Sequence, residues 1–582
     1  MRLDKLTIGS AKEGDAQKFK NLKNVTIDFD EKEWVTVLIG WNGTGKSNVL
    51  EALAQIFRDL ISKQRVPAFT YKLEYRCRDS RIHIDADPDR EKDKFIIYVA
   101  PESDGQQAEL VQSELLNNEN GDIPFGKKIS INKFLDDENE YLPRFVFGYY
   151  SGESPRLQAV FRPYLKNFDK KLRNPNSEDP GFRRFFYALP IHSHFVLLAF
   201  VLQQDEGIKK FLEEHLGFDL QESIEYVLFV LKEPSWNRNK GKNPNGEHGA
   251  CKDNPDIFWG AEGVVRRFLD RLHNSAVAPV KVSRKDDTTL WNQKEREYLH
   301  LFIKDQQGLG EVVGSQSPRE FFRDLESTYV SELIEEVRIR VKLKNAGSAV
   351  TFRELSEGEQ QMLTVIGLMR FTAEEESLFL LDEPDTHLNP KWSVDYLRHL
   401  ETIVALDERG RERSHVLLTT HNPLAIAELM KQQVQILRRD EGTKQVAAYK
   451  PELDPRGMGY AAIVTSEMFG IPSSLDKPTQ VLLEKQRLYA GKSRLDIAEQ
   501  NDLDEINAKL GQLGYRFSLA DDEYSRYLRL RSHKLEARFT EADIEKIASG
   551  VLDMTRDERE ALANELIDAL MNEESQPMKT EK

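Results

Sequence analysis

The sequence predicts an α/β fold, because short apolar strands alternate with amphipathic helices near both ends of the chain. Residues 1–60 carry two strand patterns, VTIDF and VTVLIG, then a glycine-rich turn and a helix with one apolar face. Strand, turn and helix patterns return over 350–430. In between, FTYKLEYRC, RIHIDAD and KFIIYVA read as strands, whereas SHFVLLAFVLQQ and SIEYVLFVLK read as helices. The two α/β segments are therefore separated by a long insertion.

Composition narrows the class of protein. The chain of 582 residues has a net charge of −16, which argues against a globally basic nucleic-acid coat but leaves a local basic groove open. Cys77 and Cys251 form no CxxC pattern, which indicates a reducing compartment. The start lacks a signal-peptide pattern, and the apolar run at 195–202 is far shorter than the roughly 20 residues of a membrane span. We expect a cytoplasmic protein without a membrane partner.

The stretch GWNGTGKS at 40–47 fits the pattern GxxxxGK[ST] at every fixed position. Its glycines let backbone N–H groups surround phosphate oxygens, Lys46 neutralises the β- and γ-phosphates, and Ser47 binds Mg²⁺. For Trp41 we favour packing against the adjacent sheet over stacking near the nucleotide. The predicted nucleotide-binding residues are Gly40, Asn42, Gly43, Thr44, Gly45, Lys46, Ser47 and Asn48.

Acidic residues follow the apolar strand of SLFLLDEPDTHLNP at 377–390. Asp382 at the end of that strand is suited to organise Mg²⁺ together with Ser47, and Glu383 to polarise the attacking water. A pair of acids after a strand is by itself usually a strand cap. Combined with the glycine loop, it predicts the second half of an ATP site.

Two further segments flank this strand in the sequence. LSEGEQQ begins an apolar helical run, and Ser356 and Gly358 there form either an anion-binding corner, with Glu359 and Gln360 beside it, or an ordinary helix cap. His421 ends the strand HVLLTTHNP. A lone histidine is more often structural, but its place one strand beyond the acidic pair makes it a candidate γ-phosphate sensor.

Taken in order, the glycine loop, LSEGEQ, LLDEP, DTHLNP and TTHNP resemble the ABC-type ATPases, specifically their soluble SMC-, RecF- and OLD-like branch. This resemblance implies a head-to-tail dimer, or a higher oligomer built from such dimers, in which Ser356 and Gly358 contact the γ-phosphate of the partner. It also places Asp385 and His387 in the loop that crosses the dimer interface. The predicted catalytic residues are Lys46, Glu383 and His421.

The spacing of the motifs points to a narrower group. Lys46 and Ser356 are 356 − 46 = 310 residues apart, which argues against a transporter motor, yet no sustained heptads indicate the long coiled coil of SMC proteins. FKNLKNVTIDF, RFVFGYYSGESPRL and SEMFGIPSSLD resemble the stand-alone ATPases of restriction and anti-phage systems, such as the Septu and OLD families. That resemblance makes Tyr150 and Ser151 part of a γ-phosphate-sensing loop, although a buried strand ending in a turn explains them equally well.

The other polar motifs of the sequence do not predict a metal-binding, nuclease or nucleotide-binding site. Asp521, Asp522 and Glu523 are read as a surface helix rather than the metal site of a TOPRIM nuclease. His248 and His273 lack zinc or HNH spacing. The triplet at 491–493, GKS, has no glycine five residues earlier and no preceding strand, so it is not a second nucleotide site. We therefore expect no intrinsic nuclease activity.

The sequence as a whole predicts a P-loop NTPase of ABC-ATPase type with a large α+β insertion and a helical C-terminal tail. The predicted parts are an N-terminal ATPase lobe at 1–80, an insertion at 81–340 that is mainly helical in its second half, a C-terminal lobe at 341–480 and a tail at 481–582. We expect an ATP- and Mg²⁺-dependent ATPase of a bacterial restriction or anti-phage system, acting with a separately encoded nuclease or effector, with DNA as a further candidate partner. The alternatives are a DNA-repair or chromosome-maintenance clamp of RecF or SMC kind, and a self-contained nuclease.

Overall fold

The computed structural model describes residues 1–513 apart from 31, 102–125, 137, 175–178, 203–205, 219–223, 238–256, 288–292, 345–349, 373–374, 404–412, 441, 472 and 493–494, together with 561, 564 and 565. These form two compact units, Met1–Tyr460 and Ala461–Lys582. The described strands number eighteen: β1 (Arg2–Ile8), β2 (Val25–Asp28), β3 (Val35–Gly40), β4 (Tyr71–Cys77), β5 (Ser80–Ala86), β6 (Phe95–Pro101), β7 (Lys127–Ile129), β8 (Phe145–Tyr150), β9 (Phe185–Tyr187), β10 (Ile224–Lys232), β11 (Val277–Asp287), β12 (Gln293–Ile303), β13 (Ile334–Val341), β14 (Val350–Thr351), β15 (Ser377–Asp382), β16 (Ser414–Thr419), β17 (Val434–Arg439) and β18 (Val446–Tyr449).

Fourteen α-helices lie in the same described part of the chain: α1 (Lys46–Ile61), α2 (Ile131–Asp136), α3 (Glu138–Tyr141), α4 (Arg156–Leu172), α5 (Ile191–Leu202), α6 (Glu206–Lys210), α7 (Gly263–Ser275), α8 (Gln306–Val313), α9 (Pro318–Val330), α10 (Glu357–Thr372), α11 (Pro390–Ile403), α12 (Tyr460–Thr465), α13 (Lys477–Gly491) and α14 (Ile497–Gln512). A π-helix spans Phe211–His215, and short 3-10 helices span Asp15–Gln17, Phe352–Glu354 and Lys431–Gln433.

A seven-stranded sheet, here called the parallel sheet, forms the centre of the first unit. Its order is β18-β17-β3-β16-β15-β8-β9, and only β18 runs antiparallel to its neighbour. Every residue of β15 and β16 is buried, which is typical of parallel strands covered on both faces. The sheet is assembled from segments up to 434 − 37 = 397 positions apart, since Val37 of β3 lies opposite Val434 of β17.

Helix α1 joins the parallel sheet to a second, antiparallel sheet of order β2-β1-β4-β5-β6-β7. Its apolar residues, including Val49, Leu53 and Phe57, share one hydrophobic core with Leu38 and Leu417 of the parallel sheet and with residues of β1, β2, β4 and β5. Because successive turns of α1 place these side chains on one face, the helix packs against strands β3, β8, β15 and β16 of the parallel sheet.

A third sheet, of order β11-β12-β10-β13-β14, is antiparallel throughout and lies beside the helices α5, α7, α8 and α9. A buried polar cluster ties part of this layer together. Glu326 of α9 forms an ion pair with Arg183, at 2.6 Å, and accepts a hydrogen bond from the ring nitrogen Nε2 of His192, at 2.5 Å. Each oxygen of this buried carboxylate thus has a polar partner, Arg183 for Oε1 and His192 for Oε2, as burial of a charge requires.

Several predictions about elements can be compared with this structure. FTYKLEYRC, RIHIDAD and KFIIYVA form strands, and the described part of SHFVLLAFVLQQ, up to Leu202, is a helix, as predicted. The prediction of SIEYVLFVLK as a helix is wrong: it forms β10, whose aromatic and β-branched residues suit a central strand between β12 and β13. No described helix is both long and apolar enough to cross a membrane.

The predicted division into four parts stays a prediction, but the sheets cross its boundaries. The limit at residue 80 falls on the first residue of β5, which pairs with β4 in the antiparallel sheet. Strands β8 and β9, from the predicted insertion, complete the parallel sheet. In the second unit, α13 and α14 pack together through Leu483, Ile506 and Leu510. The acidic triplet at 521–523 lies outside the described residues.

The close approach of α10 to α5 depends on a glycine. A Cβ built on Gly367 would lie 2.1 Å from Cγ1 of Val196 and 2.9 Å from its Cβ, so rotation of the valine cannot relieve the clash. We expect Gly367→Ala to lower the free energy of unfolding by about 1–3 kcal/mol, as overpacking does. Thermal or denaturant unfolding measures it.

The matched control is Gly310→Ala in α8, where an added Cβ meets nothing within 4 Å. Because alanine favours a helix more than glycine does, this control should leave stability unchanged or raise it by up to about 1 kcal/mol. Equal effects of the two substitutions would contradict the close approach.

Candidate nucleotide site at the carboxyl edge of the parallel sheet

The glycine loop connects β3 to α1 and has the conformation that phosphate binding requires. Gly40, Gly43 and Gly45 all have positive φ, at 146°, 80° and 103°. A Cβ on Gly40 would lie 2.3 Å from the carbonyl oxygen of Leu437 in β17, so only glycine fits there. The loop ends at the first turn of α1, where backbone N–H groups are free to bind an anion.

Lys46 lies under this loop and contacts its backbone. Its Nζ donates to the carbonyl oxygen of Gly40 at 2.8 Å and lies 3.4 Å from that of Trp41, while Thr44 Oγ1 donates to the same Trp41 carbonyl at 2.9 Å. Burial lowers the pKa of Lys46 to about 8, an effect that Glu383 and Asp382 oppose. The ammonium group is therefore poorly solvated and close to two carboxylates, so added negative charge would stabilise it.

Asp382 ends β15 at the same edge of the sheet. Its Oδ1 accepts from Ser47 Oγ at 3.1 Å and from Thr419 Oγ1 at 2.6 Å. Burial raises the pKa of this carboxyl, against the effect of these two hydrogen bonds. A hydroxyl oxygen and a carboxylate oxygen this close together are suitable ligands for Mg²⁺, which takes its other ligands from phosphate and water.

Glu383 follows in the left-handed backbone region, at a φ of 52°, which is unusual for glutamate. Its backbone N–H donates to Thr419, and its Oε1 lies 3.2 Å from Nε2 of His421. The hydrogen bond from His421 lowers the pKa of Glu383. The predicted water-activating residue and the predicted γ-phosphate sensor are therefore in direct contact, at the open edge next to Lys46.

Strand β8 supplies the third side of this edge. Tyr150 lies opposite Asp382 in the register of β8 and β15, and the backbone N–H of Ser151 donates to the Asp382 carbonyl at 3.3 Å. Burial, and then Asp382 and Glu383, raise the pKa of Tyr150. The description of RFVFGYYSG as a buried strand agrees with β8, whose first four residues are buried, whereas its part in γ-phosphate sensing stays a prediction.

The LSEGEQ segment forms a helix cap in this chain. Ser356 and Glu359 cap α10 reciprocally, with Ser356 N–H donating to Glu359 Oε2 at 2.7 Å and Glu359 N–H to Ser356 Oγ at 3.3 Å. Gln360 Nε2 donates to the Leu355 carbonyl at 3.0 Å. Among the described residues, no hydrogen bond joins Ser356 or Gly358 to the glycine loop. This corner is thus formed, but not by contact with its own chain's loop.

Asp385 and His387, in the loop that follows the acidic pair, differ in exposure. Asp385 is buried and accepts from Thr420 Oγ1 at 2.8 Å, whereas His387 is exposed and lies 3.2 Å from Glu357. Burial raises the pKa of Asp385, in opposition to the bond from Thr420. Of the pair predicted to cross a dimer interface, only His387 presents its side chain to the surface.

The prediction that Trp41 packs against the adjacent sheet is wrong. The side chain is 68% exposed at the tip of the loop. Asn42 and Gly43 beside it are also exposed. The tip therefore offers an aromatic surface next to the site.

Sequence reasoning missed two side chains that hold the loop from outside. Asn21 Nδ2 donates to the Gly43 carbonyl at 3.1 Å while its Oδ1 accepts from Asn48 Nδ2 at 2.6 Å. Arg439, at the end of β17, donates to the same Gly43 carbonyl at 3.1 Å. The segment FKNLKN contains Asn21, but nothing in its pattern shows that it folds onto the loop.

These elements define a P-loop NTPase of ABC-ATPase type: the strand order places the glycine loop, the acidic pair and His421 on three adjacent strand ends. Comparison with known families agrees. A model described as "AAA ATPase domain" matches residues 17–229, and one described as "AAA domain, putative AbiEii toxin, Type IV TA system" matches 269–427. The first covers the glycine loop, and the second covers LSEGEQ, the acidic pair and His421.

Individual relatives come from bacterial defence systems. The retron Vc95 probable ATPase of Vibrio cholerae serotype O1 biovar El Tor is 21% identical over 85% of this chain and 85% of its own length. The Septu protein PtuA of Bacillus mycoides (strain KBAB4) is 24% identical over a shorter match, which covers 25% of this chain and 21% of that protein. Together they confirm the resemblance to soluble ABC-type ATPases of anti-phage defence.

Among solved structures, the SMC head domain from Thermotoga maritima matches with a TM-score of 0.29 and 12% identity, over 78% of this chain and 100% of that one. An SMC head bound to the C-winged helix domain of ScpA matches with a TM-score of 0.30 and 12% identity, over 77% of this chain and 98% of that one.

The lowered pKa of Lys46 predicts pH-dependent nucleotide binding. Bound phosphates favour the charged ammonium and raise its pKa above about 8, so binding takes up protons and the affinity falls as pH rises through that value. Between pH 7 and 9 we expect ATP to bind about tenfold more weakly. Titration calorimetry in two buffers of different ionisation enthalpy measures the proton uptake.

The control is Lys46→Arg, whose guanidinium stays charged over this range. Its affinity for ATP, whatever its absolute value, should be nearly independent of pH. A wild-type protein without proton uptake at pH 8.5, or a variant with undiminished uptake, would assign the effect to another group.

The contacts of Asn21 predict a second effect on binding. Asn21→Ala removes two hydrogen bonds that hold the loop, each worth about 0.5–1.5 kcal/mol. We expect the dissociation constant for ATP to rise about tenfold, with a smaller change in kcat, because the catalytic edge at Asp382 and Glu383 is untouched. Equilibrium binding and steady-state turnover measure the two quantities.

Asn21→Asp keeps the acceptor for Asn48 but loses the donor to Gly43 and adds a negative charge beside the phosphates. This variant should bind ATP more weakly still. Wild-type affinity in both variants would show that the loop holds its shape without Asn21.

Proposed function

We propose that this protein binds ATP with Mg²⁺ at the carboxyl edge of the parallel sheet and hydrolyses it as the ATPase of a bacterial anti-phage system. The single observation that carries the proposal is the meeting of Ser47, Asp382 and Thr419 at one carboxylate oxygen, with Glu383 and His421 in contact beside it. These residues come from three separate parts of the sequence, and an ATP site is the function that needs all of them.

Each side chain has a definite task in this proposal. Ser47 and Asp382 hold Mg²⁺, which offsets charge on the β- and γ-phosphates when bound. Lys46 leaves the carbonyls of Gly40 and Trp41 and moves its ammonium group to the phosphates. Glu383, ionised at neutral pH, accepts a hydrogen bond from the attacking water, and His421 orients Glu383 and contacts the γ-phosphate.

The site is incomplete in one chain, and we propose that a second copy completes it. The corner at Ser356 and Gly358 is preformed at the N-terminus of α10, and it does not contact the loop of its own chain. Packed head to tail, two copies would bring this corner to the γ-phosphate of each other's ATP. Hydrolysis would then separate them, and the opening and closing would be passed to nucleic acid or to a separately encoded nuclease.

The test is Glu383→Gln, which keeps the size and the contact distance but removes the negative charge. We expect normal ATP binding, turnover reduced by about a hundredfold or more, and a stable dimer with ATP, seen by light scattering during gel filtration. Lys46→Ala is the control that should bind no nucleotide and stay undimerised.

Unchanged turnover in Glu383→Gln would remove the glutamate from its proposed task. ATP binding by Lys46→Ala with wild-type affinity would refute the nucleotide site itself. A Glu383→Gln protein that binds ATP but stays monomeric would separate hydrolysis from dimer closure and refute only the second copy's part.

A further inference from the structure

Helix α4 carries a strongly basic surface in a protein that is acidic overall. Five of its residues are basic and one, Asp169, is acidic, whereas the whole chain has a net charge of −16. Asp169 is bound by Arg173 just beyond the helix, at 2.7 Å. The remaining positive charge of the helix is therefore not offset within the helix.

Three of these residues form one row. Arg162, Lys166 and Lys170 are four positions apart, which places them on the same side of the helix at intervals of about 6 Å. All three are exposed, while Leu157, Phe161, Phe168 and Leu172 bury the opposite side. Within the described ranges, none of the three makes an ion pair. We call Arg162, Lys166 and Lys170 the basic row.

Such a row is unfavourable unless something compensates it. Like charges four residues apart on a helix repel each other, and most solvated helix faces alternate the two signs. A polyanion lying along the helix reverses the effect, because each cation then gains a partner and counterions are released. The row therefore points to a ligand with regularly spaced negative charges.

We propose that the basic row binds the phosphate backbone of double-stranded DNA. Phosphates of one strand advance about 3.4 Å along the duplex axis, so every second phosphate comes about 7 Å further on, close to the spacing of the row. The aromatic residues of α4 are buried or half-buried, so this helix offers no stacking platform for a single strand. Because these three contacts would go to backbone phosphates, which carry no sequence information, binding is independent of sequence.

The position of α4 relates the basic row to the nucleotide site. DNA binding by the row does not depend on the proposed function, but its coupling to ATP does. The helix begins at Arg156, five residues after Ser151, and Arg156 lies 3.8 Å from Glu51 of α1. The same helix thus starts beside the nucleotide edge and carries the basic row farther along. A movement at the nucleotide edge could therefore be transmitted through α4 to DNA bound on the row.

The test compares two triple variants of the full chain that lose equal charge. Arg162→Ala/Lys166→Ala/Lys170→Ala removes the row, and Lys72→Ala/Lys285→Ala/Lys294→Ala removes three exposed lysines from β4, β11 and β12. Fluorescence anisotropy with a short labelled DNA duplex gives the affinity over a series of salt concentrations. We expect the row variant to bind at least about tenfold more weakly and its log–log salt slope to fall by about three, with little change in the control variant.

Restoring charge sharpens the result. Arg162→Lys/Lys166→Arg/Lys170→Arg keeps three cations, so it should bind the duplex as the wild type does. Wild-type affinity in the row variant, an equal loss in the control variant, or tighter binding of single-stranded DNA or duplex RNA than of duplex DNA would overturn the inference.

Basal ATP turnover, measured without DNA, separates this inference from the proposed function. Neither triple variant touches the nucleotide edge, so both should keep wild-type turnover. A wild-type protein without turnover would refute the proposed ATPase, while the comparison of duplex binding would still decide on the basic row.

Discussion

The buried carboxylate of Asp382 joins the two halves of the nucleotide site. One of its oxygens receives the hydroxyls of Ser47 and Thr419, from segments that lie 335 and 37 positions away in the sequence. Burial of a carboxylate costs free energy unless hydrogen-bond donors reach it. These bonds therefore fix how the ends of β3, β15 and β16 and the start of α1 are aligned with one another. Lys46, Glu383 and His421 owe their mutual distances to that alignment.

The residues that sequence predicts best are those whose chemistry and local backbone coincide. The glycine loop, the acidic pair and His421 each stand directly after an apolar strand, so a pattern of a few residues gives both the element and its task. Asn21, Thr419 and Arg439 act through contacts across the fold, to a carbonyl or a carboxylate that no local pattern identifies. For such residues only the strand order shows which neighbours they meet.

The same distinction explains the two errors. SIEYVLFVLK is apolar almost throughout, so its periodicity cannot separate a central strand from a buried helix; pairing with β12 and β13 decides for the strand. Trp41 is large and apolar, which suggests burial, but the positive φ angles of the glycines around it turn the loop tip outward. Tertiary pairing and backbone direction prevailed over the preference of single residues.

Gly358 touches the loop that follows the acidic pair: a Cβ there would lie 2.5 Å from the carbonyl oxygen of His387. The N-terminus of α10 and that loop therefore form a single rigid contact surface in each chain. When two binding segments are rigidly linked, engagement of the first places the second at a high effective concentration, so the two bind as one bivalent unit. A dimer that closes through this surface, as proposed above, would therefore be held by both segments together, more tightly than by either segment alone.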